Sequence, residues 1–198
     1  MEMNEPMHII SLGAGVQSST MALMAAAGEI TPMPACAIFA DTQDEPAAVY
    51  RWLDWLEPRL PFPVHRVTKG SLKDLALKIR HRRDGKGMWT ESLIPAFIKN
   101  PNGTRGLQGR FCTANFKILP IAKEIKRLRK LHKMEAAIQW VGISLDEIVR
   151  MKPSREKGIA NRWPLIEQNM TRHDCLRWIE KMGMPKPDRK STRLNSSH

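Results

Sequence analysis

The stretch His8-Ile9-Ile10-Ser11-Leu12-Gly13-Ala14-Gly15-Val16-Gln17-Ser18-Ser19-Thr20 constrains the chain more than any other. A short apolar, β-prone run feeds a tight turn of small residues. A segment rich in Ala, Met and Leu follows at once and reads as a helix. Small residues let the backbone turn sharply and approach a ligand closely. The first turn of a helix offers unpaired N–H groups and the positive end of its dipole. Together these make a site for phosphate or sulfate. Ser18, Ser19 and Thr20 add hydroxyl donors.

Three loop types come close to this string. A P-loop ends in Gly-Lys-Ser/Thr, which is absent. The dinucleotide fingerprint needs three glycines; Gly13 and Gly15 fit, but Ser18 stands in the third place. The PP-loop of the adenine-nucleotide α-hydrolase superfamily is usually Ser-Gly-Gly-x-Asp-Ser/Thr. Gly13-Ala14-Gly15-Val16-Gln17-Ser18 matches it in part, with Gly13 for the first Ser, Ala14 for the first Gly and Gln17 for the Asp. A plain strand–turn–helix corner would also use these glycines.

A chain of 198 residues with 42% hydrophobic content suggests one domain, or one and a fragment, with a buried core. No apolar run approaches membrane-spanning length, and Met1-Glu2-Met3-Asn4-Glu5 is no signal peptide, so no membrane partner is expected. Cys36, Cys112 and Cys175 are odd in number and widely spaced. They suit a reducing cytoplasm rather than a disulfide framework. The net charge is +12. Basic residues cluster at His81-Arg82-Arg83 and along residues 123–133. Such runs either form a solvated helix face or attract polyanions, nucleotides or nucleic acid. No aromatic interleaving points to base-specific reading.

Residues 188–198 lack any apolar period. They match the in-frame translation of a common sequencing adapter. The expectation is a foreign, disordered tail on a domain spanning 1–187, whose natural continuation is missing.

Strand and helix signals alternate. Strands are expected at 8–12, 35–40, 64–67 and 138–143, with a short fifth at 163–166. Helices are expected at 17–28 with Gly28 as C-cap, at 46–56 opened by Pro46, and after Ser71 with Leu72, Leu75 and Ile79 on one side. Further helices are expected at 113–133 and 171–182, the last opened by Thr171 with Asp174 in a capping box. Residues 82–111 read as a long loop with one short helix near 92–98. The fold class is α/β: a doubly wound, mostly parallel five-stranded sheet with helices on both faces, PP-loop/HUP-like. Ligands bind such sheets at the carboxyl ends of the strands.

Three more segments carry chemistry. Asp41-Thr42 ends the second strand, where Asp41 suits a ribose hydroxyl, a metal or a substrate group. Asp44 and Glu45 suit the acidic first turn of the next helix. In Arg110-Phe111-Cys112-Thr113-Ala114-Asn115-Phe116-Lys117, Arg110 can grip an oxyanion bidentately, and Lys117 lies one helical turn beyond Thr113. Cys112 reads either as a favoured thiolate at a helix start or as a small buried apolar residue. In Gly142-Ile143-Ser144-Leu145-Asp146-Glu147-Ile148-Val149-Arg150, Gly142 permits close ligand approach. Asp146, Glu147 and Arg150 form either a polar rim or a capped helix with Asp146 paired to Arg150.

In this order, over 8–187, the segments resemble the phosphoadenosine phosphosulfate reductase family, a PP-loop branch, and especially its divergent phage and mobile-element members. The resemblance implies an adenine nucleotide or sulfonucleotide across the strand ends. Its phosphate or sulfate would rest on Ser11, Gly13, Ala14, Gly15, Gln17, Ser18 and Ser19, with Asp41, Thr42 and Gly142 beside it. Arg110, Lys117 and Arg150 would meet its anionic groups. It also implies a thioredoxin-like reductant, and an iron-sulfur cluster or zinc in a fuller protein. The family's C-terminal cysteine is not in this chain, so no nucleophile is assigned. The alternatives are ATP pyrophosphate cleavage, adenylating or thiolating nucleic acid or a small molecule, and a non-catalytic nucleotide-binding module. Gln17 in the Asp position weakens the ATP alternative, because metal-assisted pyrophosphate release wants that carboxylate.

Overall fold

The structure, a computed structural model, describes residues 5–81, 88–90, 97–99, 102–107 and 111–187. The tail at 188–198, Arg82, Arg83, Arg110 and most of the short helix expected near 92–98 lie outside the described residues.

Five strands form the central sheet: β1 (Met7–Leu12), β2 (Cys36–Asp41), β3 (Val64–Thr68), β8 (Ala137–Val141) and β9 (Ile159–Arg162). Their order is β3-β2-β1-β8-β9. β1 runs parallel to β2 and β8, and β8 runs parallel to β9, so the expected parallel α/β sheet is the one found. The registers set Ile10 beside Ala37 on one side and Trp140 on the other. Ile9 and Ile10 are successive and both fully buried, as a central strand covered on both faces requires. The run Cys36-Ala37-Ile38-Phe39-Ala40 is buried throughout for the same reason.

One face of the sheet carries the main apolar cluster. Ile10, Leu12, Phe39 and Trp140 pack there with residues of α1 (Val16–Ala26), α2 (Ala47–Leu56), α6 (Pro164–Glu167) and α7 (Arg172–Lys181). α1 is buried from Val16 to Ala25, which is why it shows no polar stripe. α2 is amphipathic and buries Val49, Trp52, Leu53 and Leu56 at helical spacing. On the opposite face, Ile9, Cys36 and Ile38 are also buried. α5 (Leu119–Leu131) brings Leu128 to that side, where it lines a cavity of about 660 Å³ with Met7 and Cys36. Full burial of a side chain such as Ile10 or Ile125 contributes about 1.5–3 kcal/mol.

Several expectations are corrected. The fifth strand is β9, and Trp163-Pro164-Leu165-Ile166 instead opens α6. Pro164 has no N–H and a fixed φ, which suits a first helical position and not a sheet interior. α3 (Leu72–Leu77) is capped by Ser71, whose Oγ accepts from the Asp74 N–H, but it ends before Ile79. Ile79 belongs to β4 (Ile79–His81), antiparallel to β5 (Met88–Thr90). β6 (Phe97–Lys99) pairs antiparallel with β7 (Arg105–Leu107), so strand replaces the C-terminal end of the short helix expected near 92–98. Gly103, with φ of 81°, turns that second hairpin, and Asn102 Oδ1 accepts from the Thr104 N–H at 3.1 Å. The helix expected at 113–133 begins earlier, at α4 (Phe111–Thr113), and passes through a π-helical stretch at Ala114–Ile118 into α5. The Leu119 N–H reaches back five residues to the Ala114 carbonyl just before Pro120, which has no N–H to donate.

The described residues divide into two compact units. One takes those of 1–39, 46–65 and 125–198; the other takes those of 40–45 and 66–124.

Candidate functional site

The loop leaves the carboxyl end of β1. Ala14 adopts a left-handed conformation with φ of 52°, a cost of about 1–2 kcal/mol for a residue with a Cβ. Gly15 is the N-cap of α1. Ser18 Oγ accepts from the Gly13 N–H at 3.1 Å and the Gly15 N–H at 3.3 Å, and donates to the Gly15 carbonyl at 3.4 Å. This hydroxyl fixes the shape of the loop from inside. Ser11 lies in β1 opposite Ile38 and Val141.

Gly142 follows β8. A Cβ there would stand 2.9 Å from the Ser18 Cα and backbone N. The first turn of α1 therefore packs directly against Gly142. Ser19 is also redirected. It is fully buried, and its Oγ accepts from Trp52 Nε1 at 2.8 Å. The Thr20 hydroxyl donates to the Val16 carbonyl at 2.8 Å. Neither hydroxyl is offered to the loop, because α1 is buried on all sides.

Gln17 is the centre of a polar network. Its Nε2 donates to Glu147 Oε2 at 3.3 Å and to Ser144 Oγ at 3.4 Å. Its Oε1 accepts from Arg172 Nη1 at 2.7 Å. Glu147 Oε1 also holds Arg150 Nη1 at 2.7 Å. Arg150 therefore pairs with Glu147, and not with Asp146 as one of the two alternatives had it. Asp146 accepts the backbone N–H of Arg172 at 2.9 Å. Hydrogen bonding from the Ser144 hydroxyl, the largest cause, holds the Asp146 carboxyl below its ordinary range. Sequence reading missed Arg172. Its signal was the Thr171–Asp174 capping box, which sets the first turn of α7.

The other predicted residues lie in the second unit. Asp41 Oδ1 accepts from the Gln43 N–H at 2.8 Å, within a turn where Gln43 has φ of 60°. Thr42 is buried, and its hydroxyl donates to Glu45 Oε1 at 3.4 Å. Asp44 and Glu45 do not serve the helix that follows them. Asp44 Oδ2 accepts from the Lys73 N–H at 2.8 Å and the Ser71 hydroxyl at 3.2 Å, so it caps α3. Glu45 Oε1 pairs with Lys117 Nζ at 2.7 Å, and the Glu45 side chain is only 8% exposed. Lys117, foreseen as an anion contact, carries this internal partner. Cys112 is half-buried in α4. Arg110 lies outside the described residues.

The cysteines do not make a metal centre. Cys36 and Cys175 are buried, and among the described residues no cluster of three or more His, Cys, Asp or Glu is placed to hold an ion. The described residues therefore do not fit a cluster or zinc. Burial pushes the Cys175 thiol up to about 12. No helix of the described residues is long and apolar enough to cross a membrane.

No family model and no curated protein matches the chain. Among solved structures it is similar to a phosphoadenylyl-sulfate (PAPS) reductase from Candida auris in a phosphate complex. Identity is 16%, coverage 90% of this chain and 74% of that one, and the TM-score 0.49. It is also similar to the U34-tRNA thiolase NcsA from Methanococcus maripaludis with its 4Fe-4S cluster, at 14% identity and a TM-score of 0.48. That match covers 96% of this chain and 61% of the thiolase, less than two thirds of its length. The chain's own strand order and pairing make it a parallel α/β protein.

Proposed function

We propose that the chain binds an adenine nucleotide, with a phosphate or sulfate group against Gly13-Ala14-Gly15 and the first turn of α1, and that its substrate is a sulfonucleotide. The observation that carries this reading is the place of the loop. It leaves β1 where the strand order reverses, with β2 and β3 on one side and β8 and β9 on the other. Crevices for ligands open outside the strand ends at such a switch point. The first-turn amides of α1 have no carbonyl to pair with inside the helix, and its dipole favours an anion there. In this reading Arg150, in the same unit as the loop, meets the substrate's anionic groups.

Gln17 favours a sulfonucleotide over ATP pyrophosphate cleavage. A metal-bound triphosphate calls for a carboxylate at this place. Gln17 is neutral, and its amide is engaged by Glu147, Ser144 and Arg172. The chain's own residues bind and orient the nucleotide. Reduction would need a thiolate, and the Cys175 thiol, raised to about 12, is unsuited to that role.

Calorimetric titration with phosphoadenosine phosphosulfate, adenosine bisphosphate and ATP tests the proposal. The first two are expected to bind, and Ser18→Ala to weaken both about tenfold by loosening the loop. Binding of ATP alone, or unchanged affinity in the variant, overturns it.

A further inference from the structure

The first unit carries a concentrated positive surface away from the loop. On α5, Ile125 and Leu128 are buried, while Lys126, Arg127 and Lys130 are exposed, with Lys133 in the turn beyond. Spacings of three and four residues put Lys126, Arg127 and Lys130 on one helix face, and Lys133 follows in a left-handed turn past its end. The segment leading into β9 adds Arg155 and Lys157, both exposed.

Arg129 fastens the two segments together. Its Nη1 donates to the Lys157 carbonyl at 3.1 Å, and its Nη2 donates to the Glu135 carbonyl. Lys126 pairs with Glu156 alongside. Gly158 makes room for the guanidinium: its φ is 75°, and a Cβ there would stand within 2.7 Å of three guanidinium atoms. Arg129 is thus engaged by main-chain carbonyls and positions the cations around it.

Like charges at three- and four-residue spacing repel. A polyanion relieves that repulsion and releases its own counterions on binding. From Lys126 to Lys130 the helix advances about 6 Å, a length over which a duplex carries about three to four charges, one per about 1.7 Å of its axis. None of the six cations has an aromatic neighbour in its own segment, so these segments supply no ring for unpaired bases to stack on. We propose that this face binds the phosphate backbone of a double-helical nucleic acid, without reading bases.

Fluorescence anisotropy with labelled RNA and DNA duplexes of about 20 base pairs, between about 50 and 200 mM salt, tests this. Binding is expected to weaken linearly with salt on logarithmic axes. The variant Lys130→Glu/Lys133→Glu/Lys157→Glu should weaken binding at least about tenfold and lower the salt slope by about 2–3. Its affinity for adenine nucleotides should not change, so this test and that of the loop fail independently. A Lys→Gln version of the same triple variant, expected to show a smaller loss, serves if the reversal unfolds the protein. Three results overturn the proposal: no duplex binding at the lowest salt, variants that bind as the parent does, or stronger binding to polyglutamate or phosphatidylserine vesicles than to either duplex. The last would point to an acidic protein or a membrane surface.

Discussion

Gly142 stands so close to Ser18 that a single added carbon would lie 2.9 Å from the Ser18 backbone. The end of β8 therefore fixes where α1 begins. Because Ser18 Oγ holds the Gly13 and Gly15 amides, the same contact fixes the loop.

Gly142→Ala should force α1 and β8 apart. The expected cost is about 1–3 kcal/mol, as for overpacking elsewhere in protein cores. Urea denaturation measures it, and nucleotide affinity should fall with it. A variant as stable as the parent would show that the corner yields freely.

Ser19→Ala separates a structural hydroxyl from a binding one. Ser19 Oγ is the acceptor for buried Trp52 Nε1. Leaving that N–H unsatisfied should cost about 1–3 kcal/mol in stability. Nucleotide affinity, read by calorimetry, should stay within about twofold of the parent, since the lost bond contributes nothing at the loop. A large affinity loss without a stability loss would reverse this assignment.

Stability should fall on mild acidification through His8. Its Nδ1 accepts from Trp140 Nε1 at 2.9 Å, so the folded protein holds it neutral. Burial, and then the charge of Arg162, lower its pKa from the ordinary 6.5. The unfolded chain takes up the proton more readily, so stability is full above pH 6.5 and is lost as pH falls through the lower folded value. Thermal melts between about pH 7 and pH 5 should show this loss. His8→Gln should flatten that part of the profile.

Glu45 and Lys117 should be coupled energetically. Glu45 is nearly buried, but Lys117 remains 40% exposed, so solvent screens the pair. A double-mutant cycle with Glu45→Gln and Lys117→Met is expected to give a coupling of about 1 kcal/mol. Additive effects would show that the pair is incidental.

Pro46, suited to a first helical turn, made α2 legible from sequence, and the continuous apolar run did the same for β2. The hairpins of the second unit were not legible, because strands as short as Phe97–Lys99 carry no measurable period. At the loop, the glycines and the helix start could be read, but the directions of the hydroxyls could not. Ser18 and Ser19 are adjacent and chemically identical. One turns to the loop amides and the other to Trp52.

By itself, the sequence determined the alternating parallel architecture and the loop-to-helix corner at the end of β1. Those features arise among neighbouring residues, where periodicity, small side chains and capping act locally. Only the tertiary structure decided that Gln17 would be held by Glu147 and Arg172, that Glu45 would hold Lys117, and that Gly142 would pack against Ser18. Gln17 and Glu147 lie 130 residues apart in the chain. No local pattern encodes such a pairing, because it exists only after the parallel sheet has brought β1 and β8 side by side.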